Sequence, residues 1–264
     1  MLKAINISYK IDNQYLLNNI SLEFKPGEFT VIMGQNGAGK STLLKLLAGS
    51  TKVTEGEIAL FNKRIEDYKE IELSKIRAVL SQHYEISFPV SIRDIVMMGR
   101  YPHYKSEPTR LDYEIIDETL SLMGIKNLKD RNYDTLSGGE AQKVQMARVL
   151  SQIWQHDKNN NKILFLDEPV SQLDIQYQYF MLQVARKFTK ENVMVIAILH
   201  DLNLALTYAD KIVFLKNGKL IKTFNSVHDV DKEIVNKVFD IEMENIPNPF
   251  SNKPHFIVKN EISI

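Results

Sequence analysis

FTVIMGQNGAGKSTLLKLLAG, Phe29 to Gly49, changes character twice. FTVIM is a short apolar run of the kind that forms a buried strand, and STLLKLLAG carries its apolar residues at helical spacing and stops at a glycine. Between them, Gly34 to Thr42 reads GQNGAGKST and fits G-x-x-x-x-G-K-[ST] in the strand-turn-helix context that this motif requires. Gly34, Gly37 and Gly39 let the backbone curl, so that N–H groups along Gln35, Asn36 and Ala38 point at a phosphate. Lys40 can reach the β and γ oxygens, Ser41 can hold Mg²⁺, and Thr42 leads the loop into its helix. A bound ATP with Mg²⁺ is the expectation.

Outward from this cradle, the opening AINISYKIDNQYLLNNISLEF alternates apolar and polar residues around Asp12-Asn13, which predicts an antiparallel hairpin. GEIALFNKRI and KIRAVLSQ read as strands. From 91 to about 155 the candidate elements are all helical: SIRDIVMMGR, TRLDYEIIDETLSLMG and SGGEAQKVQMARVLSQIW. QHDKNNNK, 155 to 162, reads as a surface loop. KILFLDEP, VMVIAILHD and KIVFLKNGKL return to the strands of a mostly parallel sheet. The expected fold class is therefore α/β, a P-loop NTPase core of RecA-like type with an N-terminal antiparallel β subdomain and an inserted helical subdomain. The expected division is 1–90 with 156–225 as nucleotide core and β subdomain, 91–155 as helical subdomain, and 226–264 as a C-terminal appendage.

Bulk composition narrows the function. With 264 residues and 44% hydrophobic content the chain can bury a large core. Its 33 Lys+Arg balance 33 Asp+Glu, so no global field gathers nucleic acid, and no nucleic-acid partner is expected. There is no cysteine for a disulfide or thiolate metal site. MLKAINISYKIDNQ lacks a secretory h-region, and the longest apolar run, VMVIAIL, is far below the roughly 18 residues of a spanning helix. The six histidines are scattered; His83, His103, His156, His228 and His255 read as surface or structural.

Other residues collect at strand ends, where open α/β sheets gather ligands. Asp167 and Glu168 close ILFLD-E; Asp167 would orient Mg²⁺ through its water shell and Glu168 would act as general base on an attacking water. Gln82 follows KIRAVLSQ and His200 ends VMVIAILH. The amide could ligate Mg²⁺ or orient water, and the imidazole could bond the γ-phosphate, although each alone also reads as a satisfied polar residue. Tyr9 could stack on a base or simply pack. In LSGGEAQKVQMARVL, 136 to 150, Ser137 is a good N-cap, and Gly138 and Gly139 let an anion approach the positive end of the helix.

In order and spacing, GQNGAGKST, Gln82, LSGGE, ILFLDEP, SQLD at 171 to 174 and His200 resemble the ATP-binding cassette subunits of ABC transporters. The resemblance covers nearly the whole chain. It implies an ATPase coupled to transport, in which Tyr9 lies beneath adenine, Gln82 links Mg²⁺ to a permease contact, Glu168 is the catalytic carboxylate, Asp174 crosses a dimer interface and His200 senses the γ-phosphate. It further implies two cassettes closing head to tail, two transmembrane permease subunits, a substrate-binding protein acting indirectly, and a peripheral position on the cytoplasmic face of the membrane. DEPVSQLD stands where the family most often has DEPTSALD, which touches the interface and leaves the catalytic positions intact. SQHYEISFPVSIRDIVMMGRYPH and the lengthened loop after Trp154 look like the haem-importer ATPases, with siderophore and cobalamin uptake as alternatives and a soluble cassette ATPase further off. Phe88, Met97, Met98 and Tyr101 offer a surface for a permease helix, or equally a subdomain core.

Overall fold

The computed structural model describes residues 1–12, 14–81, 86, 89–154, 161–171 and 173–259. Its centre is a sheet whose strands read as continuous apolar runs because both faces are covered. The parallel strands are β3 (Phe29–Met33), β6 (Arg77–Leu80), β7 (Ile163–Asp167), β8 (Met194–Ile198) and β9 (Lys211–Lys216), with β10 (Lys219–Phe224) antiparallel at one edge. The order is β10-β9-β3-β8-β7-β6. Side chains alternate between two cores, as a period of two demands. Phe29, Val31, Met33, Leu164, Leu166, Val195 and Ala197 face one core, and Ile32, Ile163, Phe165, Met194, Ile196 and Ile198 the other.

The second core is closed by α1 (Lys40–Leu47) and by an antiparallel sheet of β1 (Leu2–Ile11), β2 (Gln14–Phe24), β4 (Glu55–Leu60) and β5 (Lys63–Arg64), ordered β2-β1-β4-β5. The first core takes α3 (Ile92–Met98), α4 (Arg110–Leu122) and α5 (Gly138–Ile153), the helices expected between 91 and 155. It also takes α6 (Ile175–Thr189) and α7 (Leu202–Tyr208). The chain then adds α8 (Lys232–Phe239) and a hairpin of β11 (Met243–Pro247) and β12 (Pro254–Val258). Its Phe256 exchanges backbone hydrogen bonds with the Asn203 side chain of α7 at 2.9 and 3.0 Å.

Three expectations need correction. GEIALFNKRI is a hairpin rather than one strand, because Phe61 and Asn62 take positive φ of 49° and 66° and pair Leu60 with Lys63. KIVFLKNGKL turns the same way at Asn217-Gly218, φ 49° and 71°, the Asn-Gly geometry that suits two-residue hairpins. The strand expected from Lys75 begins only at Arg77. Lys75 and Ile76 close α2 (Glu70–Ile76), whose first turn is held by Glu72 accepting the Lys69 N–H at 3.1 Å.

Candidate functional site

β3, β7 and β8 run parallel, so Met33, Asp167 and Ile198 deliver the glycine loop, the acid pair and His200 to one carboxyl edge. The loop leaves β3 at Gly34, where an added Cβ would lie 2.2 Å from the Leu215 carbonyl oxygen. It enters α1 at Gly39, φ 94°, where a Cβ would meet Leu17 at 2.6 Å. No other residue fits either place. Because Gly39 is the N-cap, no side chain caps α1, and the N–H groups of its first turn remain directed at the cleft.

Leu16, Asn36, Gly37, Gly39, Lys40, Ser41, Thr42 and Glu168 line that cleft. The Lys40 ammonium, nearly buried, donates to the carbonyls of Gly34 at 2.9 Å and Gln35 at 3.0 Å. Burial pushes its pKa down, against the pull of the Glu168 and Asp167 charges. Ser41 Oγ donates to Asp167 Oδ1 at 3.1 Å. Burial raises the Asp167 pKa and the neighbouring Glu168 charge adds to it, opposed by the Ser41 hydrogen bond. Glu168 sits in the left-handed region, φ 52°, so its carboxylate does not continue the strand alternation but swings over the cleft. There Oε1 lies 2.6 Å from His200 Nε2, with the His200 side chain 45% exposed and that of Glu168 16%.

The sequence-predicted residues divide into three groups. Gly34 to Thr42, Asp167, Glu168 and His200 come together. Ser137, Gly138 and Gly139 do not line the same cleft: they open α5 on the helical layer, where Ser137 and Glu140 cap each other, the Ser137 N–H donating to Glu140 Oε2 at 2.9 Å. Those Ser137 hydrogen bonds hold the Glu140 pKa low. Tyr9, half-buried in β1 opposite Leu17, packs on the second core and is absent from the cleft lining. Gln82 lies outside the described residues, as do His83, Phe88, His156 and most of the 155–162 stretch. Of the surface expected for a permease helix, Met97 is 7% exposed and belongs to the core, Met98 is half-buried, and Tyr101 is 56% exposed and stacks edge-on with Tyr104. Asp174 caps α6, accepting the Tyr177 N–H at 3.0 Å.

Two side chains went unmarked by the motifs. Gln142, one turn beyond Gly138, donates to the Pro169 carbonyl at 2.6 Å and so ties the α5 start to the loop after Glu168. Leu16 lines the cleft from β2. A glutamine at i+4 from a helix-opening glycine is the only signal the first offered, and a lone strand leucine offered none.

Among the described residues no group of three or more His, Cys, Asp or Glu side chains forms a metal cage, and no helix is long and apolar enough to cross a membrane. A hydroxyl beside one carboxylate is an oxygen donor set that suits Mg²⁺, which keeps its waters and shares phosphate oxygens rather than needing a cage.

A glycine cradle on β3, a Ser–Asp pair and a strand-end carboxylate in contact with a histidine define a P-loop nucleoside triphosphatase. The ABC transporter family model matches residues 17–171. A hemin import ATP-binding protein of Gloeobacter violaceus is 43% identical over 84% of this chain and 80% of its own length. One of Escherichia coli O157:H7 is 37% identical over 98% of this chain and 99% of its own. An inward-facing metal-chelate type ABC transporter superposes with TM-score 0.81 at 25% identity, covering 98% of this chain and 96% of that one. A dimeric post-hydrolysis ATP-binding cassette bound to ADP and Pi superposes with TM-score 0.72 at 26% identity, over 85% and 98%. The chain belongs to the ABC transporter ATPase family; it is an ATP-binding enzyme whose hydrolysis is coupled to transport.

Proposed function

We propose that the chain energises import of haem, as one of two identical cassettes beneath two permease subunits on the cytoplasmic face of the membrane, with a substrate-binding protein delivering cargo. The hemin import names of relatives at 37 to 43% identity support the cargo, and the metal-chelate type neighbour supports its class. Siderophore-iron and cobalamin are the competing cargoes. In this reading 1–90 with 156–225 are the nucleotide core and β subdomain, 91–155 the signature subdomain and 226–264 a C-terminal appendage.

The Glu168–His200 contact above the glycine loop carries the chemistry. Lys40 leaves the Gly34 and Gln35 carbonyls for the phosphates of ATP, while the loop N–H groups stay in place. Ser41, Asp167 and Gln82 are the residues to hold Mg²⁺, which when bound neutralises phosphate charge. Glu168 takes the proton of the attacking water, and His200 orients Glu168 and bonds the γ-phosphate. Tyr9, half-buried on the second core, is the aromatic residue assigned to adenine. Ser137, Gly138 and Gly139 offer their helix terminus to the γ-phosphate held by a second copy of the chain, and Asp174 lies between the copies. ATP thus binds the closed pair better than the open one, and that differential affinity drives closure.

Reconstitution with its permease in lipid tests this reading. Hemin supplied with its binding protein should raise ATP hydrolysis, and a Lys40→Ala cassette should show none. Stimulation by cobalamin or a ferric siderophore instead of hemin would overturn the cargo assignment.

A further inference from the structure

The glycine loop is gripped from outside by the C-terminal appendage. α8 is followed by Asp240, its C-cap, in the left-handed conformation, φ 54°, and, as at any helix C-terminus, its last carbonyls have no partners inside the helix. Two side chains of the nucleotide core supply them. Gln35, the second residue of the glycine loop, donates its amide to the Phe239 carbonyl at 2.9 Å and to Asp240 Oδ2 at 3.2 Å. Lys216, at the end of β9, donates to the Lys237 carbonyl and to Asp240 Oδ1, both at 2.6 Å. The backbone of Gln35 is meanwhile one of the two carbonyls on which Lys40 rests, at 3.0 Å. On its other side the loop is held by the β9–β10 turn, where the Gly218 N–H donates to the Ala38 carbonyl at 3.2 Å.

When Lys40 moves to a phosphate, the loop loses both of its ties to that ammonium and is held by the Ala38 N–H donating to the Gln35 carbonyl at 3.2 Å and by its external contacts. A cradle that stays in place binds phosphate without first paying to order its backbone. We propose that Asp240 is a positioning residue for nucleotide: with the Phe239 carbonyl it fixes Gln35, so that the C-terminal helix sets the affinity of the glycine loop for ATP.

This rests on the cleft being the ATP site. Equilibrium ATP binding and steady-state hydrolysis are to be measured on the full chain for Lys40→Ala, Gln35→Ala, Asp240→Ala, Asp240→Asn and the Gln35→Ala/Asp240→Ala double variant, with thermal melts of each. Asp240→Ala should raise both the ATP Kd and KM by about three- to tenfold, the scale of one or two hydrogen bonds, and lower kcat far less. Asp240→Asn keeps an acceptor oxygen for Gln35 and should recover much of the affinity. The double variant should be no weaker than the worse single one, since both act through the same contact. Unchanged affinity in Asp240→Ala, or losses that multiply in the double variant, would overturn the clamp. ATP binding that survives Lys40→Ala undiminished would instead overturn the site itself.

Discussion

Glu168 shows why a residue's backbone and its chemistry have to be read together. A non-glycine side chain at φ 52° costs of order 1 kcal/mol or more and persists only where its surroundings enforce it. Here the gain is direction, since the carboxylate reaches His200 and the cleft while Asp167, one residue earlier, keeps its strand geometry against Ser41. Glu168→Gln removes the proton acceptor without changing shape, so ATP should bind as in the wild type while turnover falls by about 10² or more. Single-turnover hydrolysis beside equilibrium binding separates the two, and wild-type turnover would remove Glu168 from the role of base. His200→Ala should also lower hydrolysis. At this scale the sequence was most informative where a motif fixed both residue and spacing, as in GQNGAGKST and ILFLDEP. It was silent where a role depends on a distant backbone atom: Gln142 on the Pro169 carbonyl and Gln35 on that of Phe239 are pairings no local pattern encodes. Met97 was ambiguous for a different reason, because an apolar residue on a short helix suits core and interface equally until the packing is known.

Helices and hairpins repeat that lesson one level up. Buried parallel strands announced themselves as apolar runs, whereas both misread hairpins hid inside runs that continued across their turns. Asn217-Gly218 was a readable signal, but Phe61-Asn62 was not, since phenylalanine at φ 49° is held by its surroundings rather than by propensity. In the helical layer, α3 and α5 approach so closely at Gly99 that an added Cβ would stand 2.1 Å from the Arg148 carbonyl oxygen and 2.3 Å from Ser151 Oγ. Both are fixed, so Gly99→Ala should destabilise by about 2 kcal/mol or more, seen as a lower urea midpoint with an unchanged slope. The same layer holds His103, whose Nε2 lies 2.7 Å from the Gln152 carbonyl. Burial, aided by the Arg100 charge, lowers its pKa to about 4 from the ordinary 6.5. Between those values the unfolded chain binds a proton that the folded chain refuses, so this contribution is complete above about pH 6.5 and is lost as pH falls toward 4. From about pH 7.5 to about pH 5 the loss is about 2 kcal/mol. His103→Gln, which can still donate to the Gln152 carbonyl, should flatten that part of the stability-pH curve. An identical slope in wild type and variant would assign the acid sensitivity elsewhere.

At the scale of the whole molecule, the two features proposed to bind one anion do not meet. The glycine cradle faces the cleft under Glu168, while Ser137 to Gly139 open α5 on the helical layer and line no part of that cleft. The proposed head-to-tail pair of chains, each completing the other's site, would join them, and that proposal makes a prediction that a single-chain site does not. Lys40→Ala disables the cradle and leaves α5 intact. Gly139→Asp does the reverse: its Cβ would lie 3.6 Å from Leu173, an ordinary contact, so the fold accommodates it. The new carboxylate would then occupy the positive helix end that the proposal assigns to phosphate. Each variant alone should be inactive. In an equimolar mixture about half of the pairs contain one chain of each kind, and each such pair holds one site with a sound cradle facing a sound α5. Hydrolysis should therefore reappear on mixing and approach about a quarter of the wild-type rate, if the two sites of a pair act independently. A mixture as inactive as its components, with mixed pairs detected by light scattering or crosslinking, would mean that α5 serves no partner's nucleotide and that the two halves are not one site.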